Sequence, residues 1–159
     1  MEPIADQLFS VPGPQQTIVV IVRLVTAGLL GGLLGAERES GGKPAGLRTH
    51  MLVALGAALF VVAPSQACLP DGYMGSIIQG VAAGIGFIGA GTILKLTERE
   101  EIKGLTTAAS IWLTAAIGIA AGVGPLWVPL VCAACAWVIL NVLGKVESRM
   151  ARRDQRLPK

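Results

Sequence analysis

Five apolar runs separated by short polar segments organise the chain: Thr17 to Ala36, Thr49 to Ala63, Ser76 to Leu96, Leu105 to Val123 and Leu126 to Leu143. Each approaches the ~20 apolar residues that a helix needs to cross a ~30 Å hydrocarbon core. The second is short, so either Pro64 to Ala67 extend it or the bilayer thins around it. The pattern predicts an all-α membrane protein with five transmembrane helices. Composition agrees: 53% of residues are hydrophobic and 14% charged, against about 25% charged in soluble domains.

The polar segments carry a strong asymmetry. Apart from Arg23, the basic residues gather in three places: Arg38, Lys43 and Arg48 lie between the first two runs, Lys95, Arg99 and Lys103 at the end of the third run and before the fourth, and Lys145 to Lys159 hold the rest. The N-terminal segment, the Pro64 to Gly75 loop and the Gly122 to Pro125 turn have no basic residue. Cytoplasmic loops hold the excess of Lys and Arg, so an N-out, C-in topology follows. Dropping or merging one span would put basic clusters on opposite faces. The domains expected are an extracytoplasmic N-terminal segment, 1–16; a transmembrane domain, 17–143; and a basic cytoplasmic tail, 144–159.

Glu2 and Asp6 stand where a cleavable signal peptide would be basic, so the first span is expected to be retained. The net charge of +3 and pI near 9.0 reflect topology. Nucleic-acid binding is not implied, because no aromatic residues interleave the juxtamembrane basic ones. The tail is instead suited to anionic lipid. Cys68 is expected outside, while Cys132 and Cys135 share a helix face and read as small packing residues.

The two hairpins of spans overlay. Gly31 to Ala36 resembles Gly86 to Gly91, and Gly46-Leu47-Arg48-Thr49 resembles Gly104-Leu105-Thr106-Thr107. Both run out-to-in and back, which predicts a parallel repeat of helices 1–2 and 3–4 about an axis along the membrane normal. Chance likeness between glycine-rich membrane helices explains the same match. Glycines at four-residue spacing, Gly28/Gly32, Gly31/Gly35, Gly80/Gly84 and Gly118/Gly122, together with Gly86, Gly89 and Gly91, supply surfaces for close helix packing. Five short helices have few internal partners, so some of these faces are expected to join a homodimer or higher homo-oligomer.

Arg23 is the clearly ionisable residue inside a span, about six residues and roughly 9 Å past its start. It either pairs or lines a polar cavity, with Asp71 as one partner, or snorkels to the outer interface. At the inner face, Thr49 and Thr106 or Thr107 are placed to cap the second and fourth helices. With Lys43, Arg48 and Lys103 they can form a cytoplasmic anion site, or act simply as caps and topology determinants. Glu37 and Glu39 can pair with Arg38, Lys43 or Arg48, or offer oxygens to a hard cation.

All ten carboxylates fall outside the span cores, which disfavours a magnesium path lined by acidic ligands. Backbone carbonyls, Thr side chains or Asn141 could substitute. His50, the sole histidine, lacks a Cys/His/Glu cluster and reads as a hydrogen-bonded structural residue. No cofactor or metal is expected, and no nucleophile–base pair or phosphate loop points to an enzyme.

Several segments carry a resemblance to the MgtC/SapB family of bacterial inner-membrane proteins: Arg23-Leu24, Gly35-Ala36-Glu37-Arg38-Glu39, Lys43 to His50, Gly84 to Gly91 and Lys103 to Trp112. It covers residues 17 to 143, and its specificity lies in the ordered series. The resemblance implies a multi-pass plasma-membrane protein linked to adaptation to magnesium limitation or related stress. It further implies a non-enzymatic regulator that modulates other membrane proteins. The alternative is a small ion transporter or channel, for magnesium or an anion. In place of the soluble C-terminal domain of the best-studied branch, this sequence shows a short basic tail.

Overall fold

The computed structural model describes residues 13–67, 72–96 and 101–144. Helix α1 spans Pro14–Ser40, α2 Leu47–Gln66, α3 Gly72–Gly91, α4 Leu105–Val123 and α5 Trp127–Val138, the last continuing as a π-helical stretch, Ile139–Leu143. Four of these, α1 to α4, are long and apolar enough to cross a membrane, while Trp127–Leu143 is shorter.

Local chemistry sets the boundaries. Pro14 occupies the first turn of α1, where a missing N–H costs nothing. At its other end, the N–H groups of Gly41, Gly42 and Lys43 return to the carbonyls of Glu37, Glu39 and Arg38, with Gly42 at φ +64°. Helix α2 runs through Pro64 to Gln66, so the short second run is extended as the pattern allowed. Its first N–H, on Leu47, donates to the Glu39 carboxylate at 2.8 Å.

The third run differs from expectation at both ends. Helix α3 begins at Gly72 and stops at Gly91, and Leu94–Leu96 pairs antiparallel with Glu101–Lys103 as strands β1 and β2. Thr92 ends the helix by donating its hydroxyl to the Gly89 carbonyl at 2.7 Å, and the chain then turns through Gly104 at φ +95° into α4. A side chain at Gly104 would collide with the Thr92 carbonyl as well as strain the backbone. Ile93, Leu94 and Leu96 therefore extend the apolar run in sequence without extending the helix.

Helices α1, α2 and α4 form the closely packed centre, α5 lies against α1 and α4, and α3 touches chiefly α4. The centre is built from small side chains. Ala27, Ala54, Ala58 and Ala121 form one buried cluster beneath Leu24 and Leu126. Leu30, Leu34, Ile117, Ala133 and Ala136 form a second, against which Cys132 packs. With so little side-chain volume between them, the backbones approach directly: a Cβ on Gly35 would sit 2.7 Å from the Leu47 Cα. One on Gly118 would fall onto the Ala54 carbonyl. Dispersion across such contacts, rather than water exclusion, holds helices together in lipid.

Gly31, Gly32 and Gly122 likewise face α2, and Gly89 rests in ordinary contact on Ala108. Gly28, Gly80, Gly84, Gly86 and Gly91 meet open space. Gly89 alone is buried in α3, and an apolar groove of about 670 Å³ separates that helix from α2.

Candidate functional site

Three successive charges close α1, and the ~100° step per residue sends them in three directions. Arg38 turns inward and is 4% exposed. Its Nη2 donates to Thr107 Oγ1 of α4 at 3.3 Å, and its Nη1 lies 4.0 Å from Glu37 Oε2. Near the C-terminal end of α1 its charge also complements the helix dipole. Glu39 reaches across to cap α2. The negative group that a helix N-terminus attracts is thus supplied from within the chain.

His50, one turn into α2, is fully enclosed. Its Nδ1 faces the Gly46 carbonyl at 3.0 Å and its Nε2 faces Ser110 Oγ at 3.2 Å. Ser110 donates to the Thr107 carbonyl at 2.8 Å, and Thr114 donates to the Ser110 carbonyl at 2.8 Å. Arg38, Thr107, Ser110 and His50 therefore tie α1, α4 and α2 together inside an apolar bundle.

The proton count of this network is informative. A carbonyl only accepts, so Nδ1 carries a proton. If Nε2 is then a lone pair, the single Ser110 hydroxyl proton must choose between His50 and the Thr107 carbonyl. Both contacts are satisfied together only when Nε2 is protonated too. The site therefore has two proton arrangements with the same heavy-atom positions, distinguished by the Ser110 hydroxyl. Two buried atoms, Glu37 Oε2 and Arg38 Nε, have no hydrogen-bond partner among the described residues. Charge attraction is what holds that pair.

At the opposite end, Arg23 of α1 is part-buried and donates from Nη1 to the Gly122 carbonyl, in the last turn of α4. This satisfies a helix-terminal carbonyl and places a cation where the dipole favours one. The separation of Arg23 from Arg38 equals that of Gly122 from Thr107, 15 residues in each helix, or about 22 Å. The two arginines thus grip α4 at both ends and set its register against α1. Asp71 lies outside the described residues.

The remaining expected site residues are spread out. Lys43, Arg48, Lys103 and Thr106 are exposed and Thr49 is half-buried. The helix caps proper are Gly46 and Gly104, neither with a side-chain cap bond. Thr107 serves Arg38 instead of capping, because as the third residue of α4 it faces α1. Among the described residues no three His, Cys, Asp or Glu side chains cluster. Ser110, Thr114 and the Gly122 carbonyl were not singled out from the sequence. The 107, 110, 114 spacing of hydroxyls is a helical stripe in an apolar run and was a usable signal for the first two.

The family model described as the MgtC family matches residues 24–149. Protein SrpB of Synechococcus elongatus is 48% identical over 116 residues, covering 66% of this chain and 63% of SrpB. YhiD of Escherichia coli strain K12 is 37% identical over 148 residues, 89% of this chain and 68% of that protein. Protein MgtC of Salmonella typhimurium strain LT2 is 46% identical over 104 residues, 65% of this chain and 43% of that MgtC. The chain thus spans less than two thirds of SrpB and under half of MgtC. No solved structure matches. By the extent of the model match and the identities with these relatives, this multi-pass membrane protein belongs to the MgtC family.

Proposed function

We propose that the protein is a non-enzymatic regulator in the bacterial inner membrane, linked to adaptation to magnesium limitation or related stress, that acts by modulating other membrane proteins. One observation carries this reading. The buried hydroxyls and imidazole inside the α1–α2–α4 centre bond to one another, to Arg38 and to backbone carbonyls, while the helices around them close to glycine-to-backbone contact. A conducting path needs oxygen ligands or water along its length. A packed, hydrogen-bonded centre instead suits an element that holds one conformation and passes changes between its ends. The open glycines of α3 then serve association with a second copy or with another membrane protein, alongside the lipid bilayer.

A second reading, a small transporter or channel for magnesium or an anion, is favoured by YhiD, a relative whose name proposes magnesium transport for it. Magnesium and chloride flux into proteoliposomes carrying the purified protein separates the two. The regulator reading expects flux no greater than in protein-free vesicles. Flux that saturates with ion concentration and disappears in Arg23→Ala would overturn it.

A further inference from the structure

The end of the bundle where Arg23 meets Gly122 holds a pocket of about 340 Å³. Its rim is polar: Arg23 and Gln16 of α1, and Ser65 and Gln66 of α2. Its floor is apolar, formed mainly by valines of α1 and α2 with Met74 of α3. That volume lies at the small end of ligand sites, and the mixture of an apolar wall with a few convergent polar groups is their usual chemistry.

The donor balance says what fits. Gln16 donates through Nε2 to Gln66 Oε1 at 2.8 Å. That bond consumes one amide N–H and one carbonyl acceptor, whichever way the two amides are turned. Three amide N–H groups and one carbonyl remain. Ser65 donates to the Val62 carbonyl at 2.7 Å, so its hydroxyl oxygen is left as an acceptor. Arg23 uses one of its five N–H donors on Gly122, and the others have no acceptor among the described residues. Donors outnumber acceptors, and Arg23 is the charged residue of the lining. A guanidinium in a low-dielectric cleft beside amide donors recognises a phosphate-type oxyanion.

We propose that this pocket binds a phosphate-type oxyanion between Arg23 and the Gln16–Gln66 pair. The bond to Gly122 holds the guanidinium against the end of α4, and the amide pair, joining the start of α1 to the end of α2, lines the same pocket. Both a lipid phosphodiester and free inorganic phosphate present this chemistry. The valine floor suits the glycerol and upper acyl carbons of the former. The proposal concerns a site separate from the Arg38–His50 network and does not depend on the regulator reading.

The test uses the full chain purified in detergent, with two probes. Native mass spectrometry counts retained phosphatidylglycerol against monogalactosyldiacylglycerol, a neutral lipid with comparable chains. Phosphorus-31 line broadening measures inorganic phosphate. The informative variants are Arg23→Gln, which removes the cation, and Gln66→Glu, which places a competing carboxylate in the pocket while keeping Arg23 and Gly122 themselves. Each is checked by circular dichroism, and if Arg23→Gln does not fold, Gln66→Glu carries the test.

The expected result is binding of one probe by the wild type and a loss of about tenfold or more in both folded variants, the scale of a charged hydrogen-bonded contact. Loss confined to phosphatidylglycerol assigns the site to lipid phosphate, and loss of phosphate binding assigns it to a soluble anion. The proposal is overturned if neither probe binds, if binding is unchanged in folded Gln66→Glu, or if the neutral lipid is retained equally well.

Discussion

Arg38 is the charged residue among the buried polar side chains of the described residues. It is enclosed, paired with Glu37 and hydrogen-bonded to Thr107. Removing one partner of a buried ion pair leaves the other charge uncompensated, at a cost of about 3–5 kcal/mol. Arg38→Gln is therefore expected to lower stability by that order, measured by unfolding of the detergent-solubilised protein. The double substitution Glu37→Gln with Arg38→Gln should recover a substantial part, because the stranded carboxylate is gone. An additive double variant would show that the 4.0 Å pair contributes nothing. The Ser110 hydroxyl, shared between His50 and Thr107, is the network's adjustable member: its single proton decides which of α2 or α4 it serves.

At the scale of elements, glycines that look alike in sequence divide into two kinds. Gly31, Gly32 and Gly35 of α1 and Gly118 and Gly122 of α4 are pressed against α2, and those of α3 from Gly80 to Gly86 face open space. Gly118→Val should abolish the folded bundle or reduce its yield severely, because the branched side chain meets the Ala54 carbonyl and the backbones cannot separate locally. Gly84→Ala should leave a single copy unharmed or stabilise it by about 1 kcal/mol through helix propensity. Gly84→Leu tests the proposed association. If the α3 face joins copies, light scattering of the purified protein should show a smaller assembly. An unchanged mass would remove α3 from the interface.

For the whole molecule, the two arginines give the bundle distinct ends. Arg38, the Gly41–Gly46 turn and the β1–β2 hairpin gather at one, and Arg23 with the end of α2 at the other. The charge asymmetry expects the first end in the cytoplasm. A cysteine introduced at Gln16 in a background lacking the native cysteines should react with a membrane-impermeant maleimide in intact cells. One at Lys43 should react only after lysis. The reverse pattern would invert the topology.

What the sequence determined by itself is the set of properties that depend on neighbours along the chain. Length and hydropathy specify a helix wherever backbone groups must be satisfied in lipid, so the extents of α1, α2 and α4 were legible. Basic loops likewise pointed to one end for the polar segments. The end of α3 was not legible, since Ile93, Leu94 and Leu96 continue the apolar run around Lys95 and only the Thr92 stop and the Gly104 turn divert them into a hairpin. Nor could spacing show that Thr107 accepts from an arginine 69 positions away, or that Arg23 finds its partner in a carbonyl, which every residue has. Those facts depend on the register in which α1 and α4 pack, and register is a property of the surfaces the two helices bring together.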